Sequence, residues 1–289
     1  MDLDYVGSQS HNQLTQATGN TAKVPGPGSL ASRGQPYPQY GGPFNFDWDG
    51  EPGSYNALQA KLQKLLSSGL YLLASYTWSK SLDITSDAYA APPENIYNLH
   101  ADWGPSDYDL RQIFVLSGVY ALPVGRGKRF LSSPNKVVQA IAGNWNIGGI
   151  LSMHSGRQFD VTASGDVANV GGGAQRANQI GNPYGGTGFH QGRDEWINTS
   201  AFANPARYTF GNESRNNLVG PSYKDVDINA YKDIQLPKAV TLQFRSEFFN
   251  IFNHTNLSNP ANGVVSSLFG KITSAGPPRE IQFALKLLF

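Results

Sequence analysis

The chain has 289 residues, 22 basic against 21 acidic, of which 39% are hydrophobic, 12% aromatic and only 15% charged. A soluble domain usually carries about 25% charged residues, and a disordered chain could not account for 14 Tyr, 15 Phe and 5 Trp. A net charge of +1 without a Lys/Arg block gives no field to draw in nucleic acid, and zero cysteine removes disulfides, thiolate metal sites and a Cys nucleophile.

In chain order, a strand stub reads at Leu3–Gly7. Two alternating segments follow at Tyr55–Leu66 and Leu70–Lys80, joined at Ser67-Ser68-Gly69. Leu58, Ala60 and Leu62 share a face with Leu72, Ala74, Tyr76 and Trp78, while Gln59, Lys61 and Gln63 oppose them. Further strands read at Asp109–Leu122, where Arg111 falls on the polar side, and at Trp145–Val161. A short helix begun at Pro134, with Val137, Val138 and Ile141 on one face, is predicted between these two. Tyr223–Gln235 sets Val226, Ile228 and Ala230 against Asp225, Asp227 and Asn229. Ala239–Phe252 sets Leu242, Phe244 and Phe248 against Arg245 and Glu247. The turn Leu236-Pro237-Lys238 joins them, with Gln235 opposite Ala239 and Arg245 opposite Asn229. A one-residue slip would put Asp227 among phenylalanines. The last nine residues place Ile281, Phe283, Leu285, Leu287 and Phe289 on one face.

Eight strands are thus expected, and the connections alternate in length. About 45, 28, 60 and 28 residues follow the odd strands, and about three, twenty and three the even ones. The segment Ser164–Pro221 has 11 Gly and 8 Asn among 58 residues, improbable inside a compact soluble domain. Long connections at one end and short ones at the other are the asymmetry of an outer-membrane β-barrel. Neither the absence of a run of about 18 apolar residues nor an N-terminus without a basic n-region argues against that class, because a barrel strand makes no hydropathy run. Aromatics near the strand ends (Tyr76, Trp78, Tyr120, Trp145) suit an interfacial girdle, which Phe244 and Phe248 extend. Lys61, Arg111, Asp227, Asn229, Arg245 and Glu247 suit a wet lumen. The fold class expected is all-β, an antiparallel transmembrane barrel. A terminal Phe289 after alternate apolar residues resembles the outer-membrane assembly signal.

Five motifs carry a more specific resemblance. Tyr76-Thr-Trp-Ser-Lys-Ser, Asp109-Leu-Arg-Gln-Ile-Phe-Val, Leu122-Pro-Val-Gly-Arg-Gly-Lys, Ser155-Gly-Arg-Gln-Phe and Arg245-Ser-Glu-Phe-Phe-Asn-Ile-Phe-Asn-His-Thr-Asn stand in order. With Arg279-Glu-Ile-Gln-Phe-Ala-Leu-Lys-Leu-Leu-Phe289, they resemble the C-terminal barrel half of TonB-dependent receptors of the Oar-like type, across nearly the whole chain. The resemblance implies a plugged barrel of about 22 strands, energised import, residence in the outer membrane of a Gram-negative bacterium, and partnership with the barrel assembly machinery. This sequence shows no plug domain, signal peptide or TonB-contacting box. A contact with the TonB complex is therefore expected only through N-terminal parts beyond residues 1–289.

Other motifs read as structure. Gly171-Gly172-Gly173 with Arg176 lacks the rest of a P-loop and reads as mobile external loop. The histidines His11, His100, His154, His190 and His254 show no ligand spacing, so no metal or other cofactor is expected. His154-Ser155 with Asp83 or Asp87 has no spacing that selects a hydrolase, and no enzymatic activity is expected. Arg245 and Glu247 read first as a ladder with Asp227 and Asn229 and second as lining of a substrate route. Loop aromatics (Tyr37, Tyr40, Phe44, Phe46, Trp48, Phe189, Trp196, Phe202) could stack on a glycan or peptide, or pack on one another. The function expected is ligand capture by external loops and passage through the lumen, with the ligand (small molecule, peptide or glycan) unspecified. A small self-contained barrel acting as adhesin or anchor, and a soluble carbohydrate-binding module, remain as alternatives.

Overall fold

The computed structural model describes residues 1–67, 69–87, 92–237 and 240–289. Among these residues eight long strands form one antiparallel meander: β1 Asp2–Gly19, β2 Phe44–Ser67, β3 Leu70–Asp83, β4 Gln112–Ala121, β5 Trp145–His154, β6 Tyr223–Gln235, β7 Thr241–Phe249 and β8 Glu280–Leu288. Each pairs with its neighbours in sequence, and a two-residue strand at Gly104–Pro105 adds to β3. The sheet is open: among the described residues the outer edges of β1 and β8 have no partner strand.

Register carries one face across all eight strands. Leu3 lies opposite Ala60 and Tyr5 opposite Leu58, Leu58 opposite Trp78, and Tyr76 opposite Phe114. Leu116 then meets Leu151, Leu151 meets Val226, Ile228 meets Phe248, and Phe248 meets Ile281. Because side chains alternate with period two, this chain of pairs puts the aliphatic and aromatic residues on a single surface. That surface is bare: Leu62 is 59%, Phe283 66% and Leu285 71% exposed. A patch of this extent has no stable solution in water, whereas hydrocarbon covers it without cost. The shorter strands, 10 residues in β4 and β5 and 9 in β7 and β8, match the about 9–11 residues that a tilted strand needs to cross a bilayer. No described helix is long and apolar enough to cross.

The opposite face carries Lys61, Asp227, Asn229, Arg245 and Glu247, but its middle is less polar than the alternation implied. Ile113, Val115 and Val119 of β4 share it with Ile150 of β5. Gly148 sits opposite Asn229, where a Cβ would stand 2.8 Å from the Asn229 amide, so glycine there makes room for that side chain.

Several boundaries differ from expectation for identifiable reasons. The stub at Leu3–Gly7 extends to Gly19 and pairs with a β2 that starts at Phe44, so the first long connection shrinks. Its outer half is polar and passes through register shifts at Ser10/Gln13 and Gln13/Thr15, which erase the alternation a reader would look for. Strand β5 stops at His154, short of Val161. At Gly156 the backbone passes so close to the Gly220 carbonyl that a Cβ would overlap it, and Gln158–Phe159 pairs separately with Leu218–Val219. Between β6 and β7 the register is shifted by two residues: Gln235 faces Thr241, Asn229 faces Glu247 and Arg245 faces Tyr231. An even shift keeps every side chain on its face, but it replaces the expected Arg245–Asn229 ladder with a bond along one strand, Arg245 Nη2 to Glu247 Oε1 at 2.8 Å. Ser68, Lys238 and Ala239 of the expected turns lie outside the described residues. The expected helix is present as α1, Lys136–Ala142, with the Asn135 side chain accepting from Val138 N.

The apolar core lies outside the sheet, in the long connections. Phe159, Val161, Ala177, Ile197, Phe202 and Leu218 of the β5–β6 connection pack with Val264 and Phe269 of the β7–β8 connection.

The exposed face is expected to be intolerant of charge. Phe283→Arg should lower stability in lipid vesicles by about 2–4 kcal/mol, while Ala284→Arg, one residue on and facing the other way, should cost under about 1 kcal/mol; urea unfolding of the vesicle-inserted protein compares them.

Candidate functional site: the external loop layer

At the end of the sheet where the long connections emerge, burial alternates with the strand. Along β3, Trp78 and Lys80 are exposed while Ser79 and Ser81 are buried, and Asp83 at the strand end is buried as well. The connections therefore fold over the polar face and leave the apolar face open. Specific bonds hold them there. Ser106 Oγ donates to Ser81 Oγ at 2.8 Å, Asp109 Oδ1 accepts from Ser81 N at 2.8 Å, and Asn250 N donates to Asp227 Oδ1 at 2.9 Å. Arg215 of the β5–β6 connection reaches Asp83 at 2.5 Å and Asp107 at 3.3 Å, tying that connection to the sheet and to the β3–β4 connection.

The layer's second tie is a buried ion cluster. Arg176 donates to Glu94 at 2.6 Å and Asp102 at 2.6 Å, and its Nε donates to the Glu213 carbonyl at 3.1 Å. One guanidinium thus ties the β3–β4 connection, at Glu94 and Asp102, to Glu213 in its own connection, with its planar fork meeting two carboxylates. Glu94 Oε1 also accepts from Arg176 N, and Glu213 Oε2 from Val161 N. Asp102 Oδ2 and Glu213 Oε1 are buried with no hydrogen-bond partner. Burial pushes the Glu213 carboxyl up to about 8, and burial pushes Glu94 up to about 7 against the lowering by Arg176. Asp160 is raised by burial too, which Arg176 and Arg215 only partly offset.

A cavity of about 330 Å³ opens beside this cluster, with Glu94, Arg176 and Glu213 on one side and Trp103, Phe210 and His100 around it. It brings the rings of Trp103, Phe210 and His100 together with the Glu94 and Glu213 carboxyls and the side chains of Asn95, Asn98 and Asn212. A ligand that pairs an apolar face with several hydrogen-bonding groups would suit it.

Sequence reasoning found the faces but missed this site. Arg176 was seen only beside the glycine run, which is packed, not loose. Gly171 takes φ +78° against Pro43, where a Cβ would stand 2.5 Å from the ring, and Asp166 accepts from Val170 N and Gly171 N. Of the loop aromatics, Phe202 and Trp196 belong to the loop core, Phe44, Phe46 and Trp48 lie in β2, and Tyr37 and Tyr40 stay exposed with rings 6.2 Å apart. Arg111 stands just before β4 on the polar-face register, its carbonyl accepting from Ser79 N. The structure places Tyr76, Trp78, Tyr120, Trp145, Phe244 and Phe248 on the apolar face, with Trp145 edge-on to Phe244 at 6.0 Å. Ile281, Phe283, Leu285 and Leu287 share that face, and Phe289 follows β8, 97% exposed. His154 stacks on Tyr223 at 4.8 Å and Asp83 is held by Arg215. Among the described residues no group of three His, Asp or Glu is placed to hold a metal.

A family model described as outer membrane beta barrel domain matches residues 1–282. The chain belongs to that family. Its home is therefore the outer membrane of a Gram-negative bacterium, where lipid accounts for the bare apolar face. The fold is shared with the outer membrane transporter YddB from Escherichia coli, at a TM-score of 0.50 and 9% identity over 99% of this chain. The chain spans 29% of that transporter's length. No curated protein sequence matches it. Membership in a membrane family sets aside the soluble carbohydrate-binding module.

Two substitutions separate the charges of the cluster. Arg176→Met leaves Glu94 and Asp102 buried without their cation and should cost about 3–5 kcal/mol, read as faster hydrogen exchange across the loop layer. Glu213 is protonated more readily folded than unfolded, so its ionisation destabilises the layer as pH rises from about 4.5 through about 8. Glu213→Gln should flatten that decline in a pH series of loop exchange rates, whereas a decline of unchanged size would assign it to another group.

Proposed function

We propose that this chain is the C-terminal part of the barrel of a TonB-dependent receptor, and that its external loops capture a ligand destined for the polar interior of the complete barrel. The observation that carries the reading is the inward folding of the loops: Ser79, Ser81 and Asp83 are covered while Trp78 on the other face is bare. A layer folded over the polar face occupies the mouth of the lumen, the place where a receptor meets its cargo and a pore would be restricted. Lys61, Arg111, Asp227, Asn229, Arg245 and Glu247 would then line the wall below it, and the cavity beside Arg176 would provide polar and aromatic contacts above. Ile281 to Phe289 would be read by the barrel assembly machinery. The role has no chemistry of its own.

The open sheet supports a larger barrel. Unpaired strand edges in hydrocarbon cost several kcal/mol per backbone group, so β1 and β8 require partner strands. The fold shared with a transporter more than three times as long as this chain is consistent with such partners.

The complete gene should be expressed in a Gram-negative host, with and without its TonB complex, and tested with labelled iron chelates, oligosaccharides and peptides. Accumulation of one class that disappears without the TonB complex is expected. Equal accumulation in both hosts would overturn energy coupling, and no accumulation of any class would count against import altogether.

A further inference from the structure

The short connections emerge at the end of the sheet opposite the loop layer, which is the periplasmic end by the length asymmetry of outer-membrane barrels. One of them, residues 122–144, is neither short nor featureless. It holds Arg126, Lys128, Arg129 and Lys136 with no Asp or Glu, in a chain whose charges otherwise balance. All four are exposed, and none has a carboxylate partner among the described residues. The same segment leaves Phe130 54%, Leu131 49%, Val137 66% and Ile141 68% exposed.

This connection is fixed in place. Gly125 N donates to the Phe130 carbonyl and Phe130 N to the Pro123 carbonyl, closing a tight loop, and Gln139 Oε1 accepts from Arg126 N. Its attachment to the sheet is to the lipid-side face. Lys232 lies on the apolar-face register of β6, opposite Trp145 and Phe244 and between Ala230 and Ile234 on that face. Its ammonium donates to the carbonyls of Gln139 at 3.0 Å and Gly143 at 2.5 Å, at the C-terminal end of α1, where free carbonyls favour a cation. Trp145 Nε1 donates to the Ile141 carbonyl at 2.8 Å. The carboxylates near this end, Asp2, Asp4 and Asp233, are all on the opposite, polar register. The cations and apolar side chains are therefore held on the membrane side, at the level of the interfacial aromatics Tyr120 and Trp145.

We propose that residues 122–144 form a lipid-binding collar that docks on anionic phospholipid of the periplasmic leaflet, its four basic side chains meeting phosphates while Val137, Ile141, Phe130 and Leu131 enter the acyl boundary. Cationic residues interleaved with exposed apolar ones at the headgroup level are the arrangement that anionic lipid selects. The placement rests on outer-membrane residence and not on any transport role, so it can fail or stand separately from the proposed import.

The test uses the full chain in phosphatidylcholine vesicles doped with spin-labelled phosphatidylglycerol or spin-labelled phosphatidylcholine. The motionally restricted population should favour the anionic label by at least about fivefold, the contribution of one basic residue near a charged surface. The R126Q/K128Q/R129Q/K136Q variant, at matched strand content by circular dichroism, should bring the ratio near unity. Should that variant not fold, salt decides on the unaltered chain: going from 0.1 to 1 M NaCl shortens the Debye length from about 10 to about 3 Å and should abolish the preference. A preference that survives the neutralised variant or 1 M salt, or none at the outset, overturns the proposal.

Discussion

In hydrocarbon no water is available to the backbone, so every N–H and C=O of a spanning segment must find its partner within the protein. The uninterrupted antiparallel ladder from β1 to β8 is the response to that constraint, and the rest of the structure follows from it. Once the ladder is fixed, period-two alternation leaves only a binary choice for each strand, and the apolar residues decide it. This explains why an even displacement between β6 and β7 is tolerated while an odd one is not. A shift of two exchanges one polar-face neighbour for another, as when Tyr231 takes the place of Asn229 opposite Arg245, but a shift of one would carry Asp227 and Arg245 into lipid.

The external layer solves a different problem. With its sheet surface given over to lipid, the protein builds its buried core from the connections, using small clusters around Phe159 and Leu218 and around Ala168 and Val170. Such clusters are too small to determine which connection goes where. Arg176 and Arg215 supply that information: each carries a planar fork that fits carboxylates from only certain segments, and each leaves a costly buried charge if the wrong segment arrives. Their net contribution to stability is modest, since taking the ions out of water cancels much of the attraction. Their effect is on which arrangement is allowed.

How far this was legible in the sequence varies with the range of the interaction. Alternation is local, so the faces of β3, β6, β7 and β8 could be read from Leu72 to Trp78, Val226 to Ile234 and Ile281 to Leu287. The helix at Lys136–Ala142 was legible because Pro134 and Asn135 mark its start and Val137, Val138 and Ile141 recur at helical spacing. Strand β1 was visible only at Leu3–Gly7, because beyond Ser8 both faces become polar and the register shifts. The ion cluster could not be read, since Arg176 meets Asp102 across 74 positions and Glu94 across 82, and no spacing rule reaches that far. Lys232 was a usable signal that went unused. A lone ammonium inside an apolar alternation must have somewhere to go, and its stem is long enough to snorkel out of the membrane.

That last residue shows how the two ends of the sheet differ. At the external end the connections turn inward, over the polar face, because polar side chains such as Ser81, Asp83 and Asp227 accept hydrogen bonds from them. At the periplasmic end the long turn goes the other way, over the apolar face, because Trp145 and Lys232 offer donors on that surface and α1 presents carbonyls to both. The same alternation that separates lipid from lumen thus also sorts the connections. Segments that bury their apolar side chains among themselves and offer polar partners to the sheet are retained over the polar face. One with cations and aliphatics interleaved is held at the bilayer surface, where both kinds of side chain are satisfied at once.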